Sequence, residues 1–241
     1  SNKSYHYTAY ARLNVLCATA VILGIFFFPI FGQQETRSLN NNSIDGYKGI
    51  WFTLGQFYEY GDKYSGGLGT YTAKHVPMAV HAPEVNRTYF VYGGTTAEDA
   101  KHLLCMIGSY DHKKGLLSKP TVVHDKKNVS DPHDNPSLLI DGEGYIWVFV
   151  SGRSTKRPGF KYKSVRPYDI EHFELVSTEE MTYPQPWLMP DGSFFHFFTK
   201  YTGRRELYFE TSNDGMIWDH DRKLAGMKRE QDKFAGHYQI S

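Results

Sequence analysis

Cysteine is nearly missing from this chain, with two in 241 residues. Cys17 falls in an apolar N-terminal run, which leaves Cys105 without a partner. No disulfide can therefore staple a mature monomer, and the fold must rest on its packing. An excess of charge of one sign is missing too. Lys and Arg number 27 against 26 Asp and Glu, a net charge of +1. That balance argues against nucleic-acid steering and against a polybasic membrane patch. Helical periodicity is absent after the N-terminal segment, so a helical bundle is excluded. Among the 11 histidines no His-x-x-x-His spacing occurs, which leaves a zinc site as the weakest of the readings. Long apolar runs are absent but for one, Val15 to Phe31.

That one run follows a basic start at Lys3 and Arg12, and ends at Gly32 before polar Gln33-Gln34-Glu35. Residues 1–34 read as an export signal, or, if uncleaved, as an anchor at the short end of what spans a bilayer. Either way the remainder is expected to face outward, secreted or periplasmic. Residues 35–45, with Asn40-Asn41-Asn42-Ser43, read as a linker. Residues 46–241 are the folded part. Beginning with Ser and stopping after Gln239-Ile240-Ser241, the chain reads as a piece of a longer protein.

What is abundant is aromatic residues, 16 % of the chain, with 18 Tyr and 16 Phe. They suit strands, and also surfaces on which sugars stack. From Thr88 onward the pattern repeats. Prolines at 83, 136 and 186 each lead into a strand, and Asp141-Gly142 and Asp191-Gly192 lie 50 residues apart. After each opening pair comes a second pair of strands: Leu103 to Ile107 with Thr121 to Val123, Phe160 to Lys163 with Phe173 to Val176, Leu207 to Glu210 with Ile217-Trp218. Four short strands per unit of about 50 residues predict an all-β fold, a β-propeller. The Asp-Gly pairs are expected at hairpin turns, with Pro136 and Pro186 at equivalent places. Ser212-Asn213-Asp214-Gly215-Met216-Ile217-Trp218 resembles an Asp-box, a structural hairpin of sialidase-like propellers, one residue short of its usual spacing.

Candidate chemistry centres on Tyr110 to Arg153. His112, and His133 within Asp131-Pro132-His133-Asp134-Asn135-Pro136, stand 21 residues apart at strand ends or turns. Rims of β-scaffolds are where sites are built. Read without function, His133 belongs to a turn shaped by Asp134 and Asn135, and His112 is a solvated loop residue. Asp131 and Asp134 with His133 also offer a structural divalent-cation site. The Gly- and Tyr-rich loop Gly55 to Thr70 is turn chemistry or a sugar-facing surface, and the sequence does not choose.

Together, Gly46-Tyr47-Lys48-Gly49-Ile50-Trp51, Tyr64-Ser65-Gly66-Gly67-Leu68-Gly69-Thr70-Tyr71, Val91-Tyr92-Gly93-Gly94-Thr95, Asp131 to Pro136 and Gly236-His237-Tyr238-Gln239 resemble the BNR-repeat family of secreted bacterial proteins. That family includes seven-bladed propeller ulvan lyases, of which this chain would hold about half. The resemblance implies β-elimination at a uronic acid within an acidic polysaccharide, with no cofactor required. A base takes the C5 proton, an acid protonates the departing O4, and an arginine quiets the carboxylate. Residues matching the family pattern are His112, His133, Tyr183, Arg204 or Arg205, and Tyr238; base and acid are not divided among them. Neighbouring residues on a strand point to opposite faces, so one of the two arginines faces away. Two other readings are a non-catalytic carbohydrate-binding propeller and a sialidase-like hydrolase. The latter needs an arginine cluster, for which Arg87, Arg153, Arg157, Arg166, Arg204 and Arg205 are present but paired by no motif.

The leader generates a first prediction. Expressed whole in a bacterial host, the protein should begin near Gly32 by intact-mass spectrometry, and Val15–Phe31 retained in the membrane fraction would make it an anchor.

Overall fold

The computed structural model describes residues 76–95, 102–129, 131–201 and 205–225. The leader, the linker, the Gly- and Tyr-rich loop, Arg204 and Tyr238 lie outside the described residues. Three antiparallel sheets follow one another along the chain. The first contains β1 (Ala79–Ala82), β2 (Arg87–Gly94) and β3 (His102–Asp111), with β4 (Leu116–Leu117) and β5 (Thr121–Lys127) both paired to β3. The second is β6 (Pro136–Ile140), β7 (Ile146–Val150), β8 (Gly159–Ser164) and β9 (Phe173–Glu179). The third is β10 (Thr182–Leu188), β11 (Phe194–Tyr201), β12 (Arg205–Ser212) and β13 (Arg222–Ala225). The described part is thus all-β, as expected; a single 3-10 turn, Pro132–Asp134, precedes β6.

Proline decides which strands lie at the edge. It lacks an N–H for the ladder and is confined to edge strands, first residues and bulges. β6 opens on Pro136 and β10 carries Pro184 and Pro186, and each is the first strand of its sheet. Their remaining polar groups serve the approach between sheets. Leu138 N–H donates to the Pro77 carbonyl at 2.9 Å, and the Ser137 hydroxyl to the Pro184 carbonyl at 3.0 Å.

Asp141 and Asp191 both fall between the first and second strands of their sheets, as the repeat demands. Two details differ from expectation. Left-handed backbone sits at Gly144 (φ +88°) rather than at Gly142, because Asp141 starts a longer turn whose Oδ1 accepts from Glu143 and Tyr145 N–H. Pro136 lies four residues before Ile140, which pairs with Ile146, whereas Pro186 lies two before Leu188, which pairs with Phe194. Counted from the hairpin, it is Pro184 that matches Pro136. The 50-residue spacing in sequence becomes 48 in register.

Period-2 alternation sends the side chains of β7, Ile146-Trp147-Val148-Phe149-Val150, to two faces, and the strand is buried throughout because both are covered. Ile146, Val148 and Val150 pack with Leu103, Cys105 and Ile107 towards the first sheet; Trp147 and Phe149 pack with Phe194 and Phe198 towards the third. A charged bolt crosses the second of these interfaces. Lys161, fully buried on β8, donates to Glu179 at 2.7 Å and to Glu210 of the third sheet at 2.6 Å, with its ammonium 3.7 Å above the Trp218 ring. Glu210 also accepts from His196 Nδ1 at 2.6 Å.

The Asp-box forms despite its short spacing. Asp214 Oδ1 accepts the N–H groups of Met216 and Ile217 at 2.8 and 2.9 Å, and the Trp218 indole donates to the Gly215 carbonyl at 2.6 Å. Gly215 has φ +73°, and a Cβ there would lie 2.5 Å from Trp147. Gly215→Ala combines left-handed strain with overpacking and should cost about 2–4 kcal/mol, read as a lowered midpoint in denaturant melts.

Candidate active site

The turn before β6 builds itself from sequence. Asp131 caps the 3-10 turn, its Oδ1 accepting His133 N–H at 3.1 Å, and Pro132 supplies the fixed φ of the first helical position. The same Oδ1 is hydrogen-bonded to His133 Nδ1. A carboxylate can only accept, so Nδ1 carries the proton and the lone pair lies on Nε2. Oδ2 of Asp131 takes Arg153 Nη1 at 2.9 Å and Arg157 Nη2.

Those two arginines belong to a tight hairpin between β7 and β8, closed by Arg153 N–H on the Arg157 carbonyl at 2.7 Å. Gly152 makes the closure possible, because a Cβ there would meet the Arg157 carbonyl at 2.3 Å. Arg157 Nη2 reaches Asp134 Oδ1 at 2.9 Å, and Lys126 Nζ reaches Asp134 Oδ2 at 2.7 Å. The cation site expected at Asp131–Asp134 thus holds the protein's own ammonium and guanidinium groups. Among the described residues no cluster of three His, Cys, Asp or Glu suited to a metal occurs.

Tyr183 enters from the third sheet at a bulge between Thr182 and Gln185. Its φ is +56°, a conformation costing a tyrosine about 1–3 kcal/mol unless its surroundings impose it. The surroundings do: Tyr183 N–H donates to Ser151 Oγ at 3.1 Å, and its buried ring lies 5.7 Å from the His133 ring, inclined at 47°. Tyr183 Oη is 3.2 Å from Tyr201 Oη. The guanidinium carbons of Arg153 and Arg205 stand 5.8 and 5.6 Å from the Tyr201 ring.

Electrostatics separates the two acids. Burial pushes Asp131 up, but the hydrogen bonds from His133 and Arg157 and the charge of Arg157 more than reverse it, holding the carboxyl well below its ordinary range. Asp134 moves the other way, because its burial outweighs the pull of Lys126 and Arg157. Burial also works against Arg157, yet Asp134 and Asp131 raise its pKa.

Of the expected site residues, His133, Tyr183 and Arg205 gather here. His112 does not. It follows the end of β3 at Asp111, whereas the opposite end of β3 meets the turn, Cys105 Sγ lying 3.7 Å from the Asp134 carbonyl. Seven residue steps of largely extended chain separate Cys105 from His112, about 23 Å. His112 sits instead among Thr88, its Nε2 2.8 Å from the hydroxyl, and the rings of His81 and Tyr110. Arg204 and Tyr238 lie outside the described residues. Sequence reasoning saw Arg153 and Arg157 but not their pairing, for which the signal was an Arg-x-x-x-Arg hairpin opened by Gly152. Sequence reasoning gave the turn at His133 to Asp134 and Asn135 and missed Asp131 as the residue that orients it, for which the signal was the Asp-Pro-His capping pattern. Lys126, Ser151 and Tyr201 gave no signal.

A model described as a BNR repeat-containing family member matches residues 99–223. The chain belongs to that family. It is 25% identical over 237 residues to the PL25 ulvan lyase of Pseudoalteromonas sp. (strain PLSV), covering 88% of this chain and 44% of that enzyme. It thus spans less than half the length of this curated relative. A solved structure of a PL25 ulvan lyase is similar with a TM-score of 0.57 at 25% identity, over 69% of this chain and 41% of that one. The same kind of enzyme bound to -[GlcA(1-4)Rha3S]- superposes with a TM-score of 0.56 at 24% identity, over 70% and 42%.

The depressed Asp131 carboxyl generates a prediction with a sign. Its folded pKa lies below the unfolded value of about 3.9, so its contribution is present above that value and lost as pH falls below it. In thermal melts, Asp131→Asn should lower stability at pH 7 and decline less steeply than the parent below about pH 4. Parallel acid limbs would count against it.

Proposed function

We propose that the protein to which this chain belongs is a polysaccharide lyase cleaving a uronate-containing, ulvan-like glycan by β-elimination. The observation that carries this reading is the apposition of an Asp131-oriented imidazole, with its lone pair on Nε2, to a tyrosine held in strained backbone. Such strain is a reason to look for function. The likeness to ulvan lyases, one of them bound to a uronate-rhamnose oligosaccharide, supports the substrate class.

In this reading His133 Nε2 removes the C5 proton. The electron pair left on C5 forms the C4–C5 double bond, the C4–O4 bond breaks, and the Tyr183 hydroxyl gives its proton to O4. Arg205, beside Tyr201, holds the uronate carboxylate as negative charge builds on it. No metal or cofactor enters these steps. The three sheets are read as consecutive blades of a β-propeller, residues 46–241, preceded by the leader and linker of an exported protein. Sequential antiparallel sheets of five, four and four strands, whose first strands approach one another, support that reading.

The full-length protein should generate the ultraviolet absorbance of a 4,5-unsaturated uronate from ulvan. General acid–base catalysis contributes about 10²–10⁴-fold, so His133→Ala and Tyr183→Phe should each lose at least about 10²-fold in turnover while retaining the fold. From its place at the far strand ends, His112→Ala should stay within about twofold. Reducing ends without absorbance would mean a hydrolase, and binding with neither signal a non-catalytic module.

A further inference from the structure

Lys126 is the least expected member of the cluster. It belongs to the first sheet, is almost completely buried, and spends all three ammonium hydrogens. One goes to Asp134 Oδ2 at 2.7 Å, one to the Ser151 carbonyl at 2.5 Å, and one to the Pro158 carbonyl at 3.3 Å. Ser151 and Pro158 flank the hairpin that carries Arg153 and Arg157, so one ammonium clamps both of its feet. The charges then alternate in a line, Lys126, Asp134, Arg157 and Asp131, and the line ends on the His133 ring. Each carboxylate splits its oxygens. Asp134 gives Oδ2 to Lys126 and Oδ1 to Arg157, while Asp131 gives Oδ2 to the arginines and Oδ1 to His133.

Stability is a weak reason to keep such a line, since replacing a buried ion pair with apolar residues is often neutral or better. Placement is a stronger one. Arg157 can occupy Asp131 Oδ2 only if the hairpin feet are held and Asp134 takes its second contact. With Oδ2 occupied, the carboxylate cannot rotate, and Oδ1 stays on Nδ1. We propose that Lys126 and Asp134 are positioning residues for His133, fixing the nitrogen that holds its proton through Arg157 and Asp131. The proposal rests on the lyase reading only for its effect on turnover.

The test is imidazole ¹⁵N–¹H correlation spectroscopy on the full-length protein with ¹⁵N-histidine, His133 being assigned by loss of its signals in His133→Gln. The parent should give the pattern of a neutral ring protonated at Nδ1. Lys126→Met/Asp134→Asn removes both charges without leaving one buried alone. In that variant the His133 signals should average between the two tautomers, and kcat should fall roughly 10–100-fold, the size of effect known for groups that orient metal-bound imidazoles, with KM within about twofold. A folded double variant with the parental His133 pattern and kcat would overturn the proposal, as would a parent protonated at Nε2. If the double variant does not fold, Arg157→Met makes the same break, removing the one nitrogen that joins the two carboxylates while Arg153 still faces Asp131 and Lys126 still faces Asp134; an unchanged His133 pattern there also overturns it. A tautomer change in a full-length protein that cleaves no uronate glycan would leave the positioning role standing and defeat the lyase reading instead.

Discussion

Everything at the strand ends of the second sheet depends on how one buried carboxylate divides its two oxygens. Asp131 caps a turn, orients an imidazole and receives two guanidiniums. Each task alone is ordinary; together they require the carboxylate to stay ionised although buried. Its pKa is held down for that reason. Charge in a low dielectric is tolerable only when every lone pair is used, and here they are. The imidazole consequently stands in one tautomer against a tyrosine that the third sheet delivers in a conformation tyrosines avoid. Elements from three sheets converge, and no single sheet could build the site.

The second sheet is the structural middle of the described residues as well. β7 is apolar at every position because both its faces are covered, and its Trp147 and Phe149 meet the third sheet while Ile146, Val148 and Val150 meet the first. The Lys161–Glu179–Glu210 bolt sits on one of these interfaces and Lys126 reaches across the other. Both interfaces therefore combine apolar packing, which is non-directional, with buried charge pairs, which fix register.

How much of this the sequence announced follows from the range of the interactions. Strands were legible because alternation and turn residues are local, and so was the presence of a turn at His133, though not that Asp131 caps it. Lys161 was not. In Gly159-Phe160-Lys161-Tyr162-Lys163-Ser164 the alternation gives apolar residues to one face and lysines to the other, the pattern of a solvated surface. Only the third sheet, arriving with Glu210, turns that face inward. Lys126 fails the same way, lying in Thr121 to Lys127 among charged neighbours. His112 lies apart for a related reason: it is close to His133 in sequence, but it follows one end of β3 while the Asp131–Asp134 turn meets that strand nearer its other end, at Cys105. The proline spacing misled by two residues, because β10 carries two prolines and it is Pro184, beside the bulge that presents Tyr183, that stands where Pro136 does.

The central claim is that the Asp131-oriented His133 and Tyr183 serve an elimination in which no water is consumed. Mass spectrometry of the oligosaccharides released from ulvan by the full-length protein tests it most directly. The account predicts fragments whose new non-reducing ends are each lighter by one water than the hydrolytic counterpart. Fragments carrying the added water would contradict it.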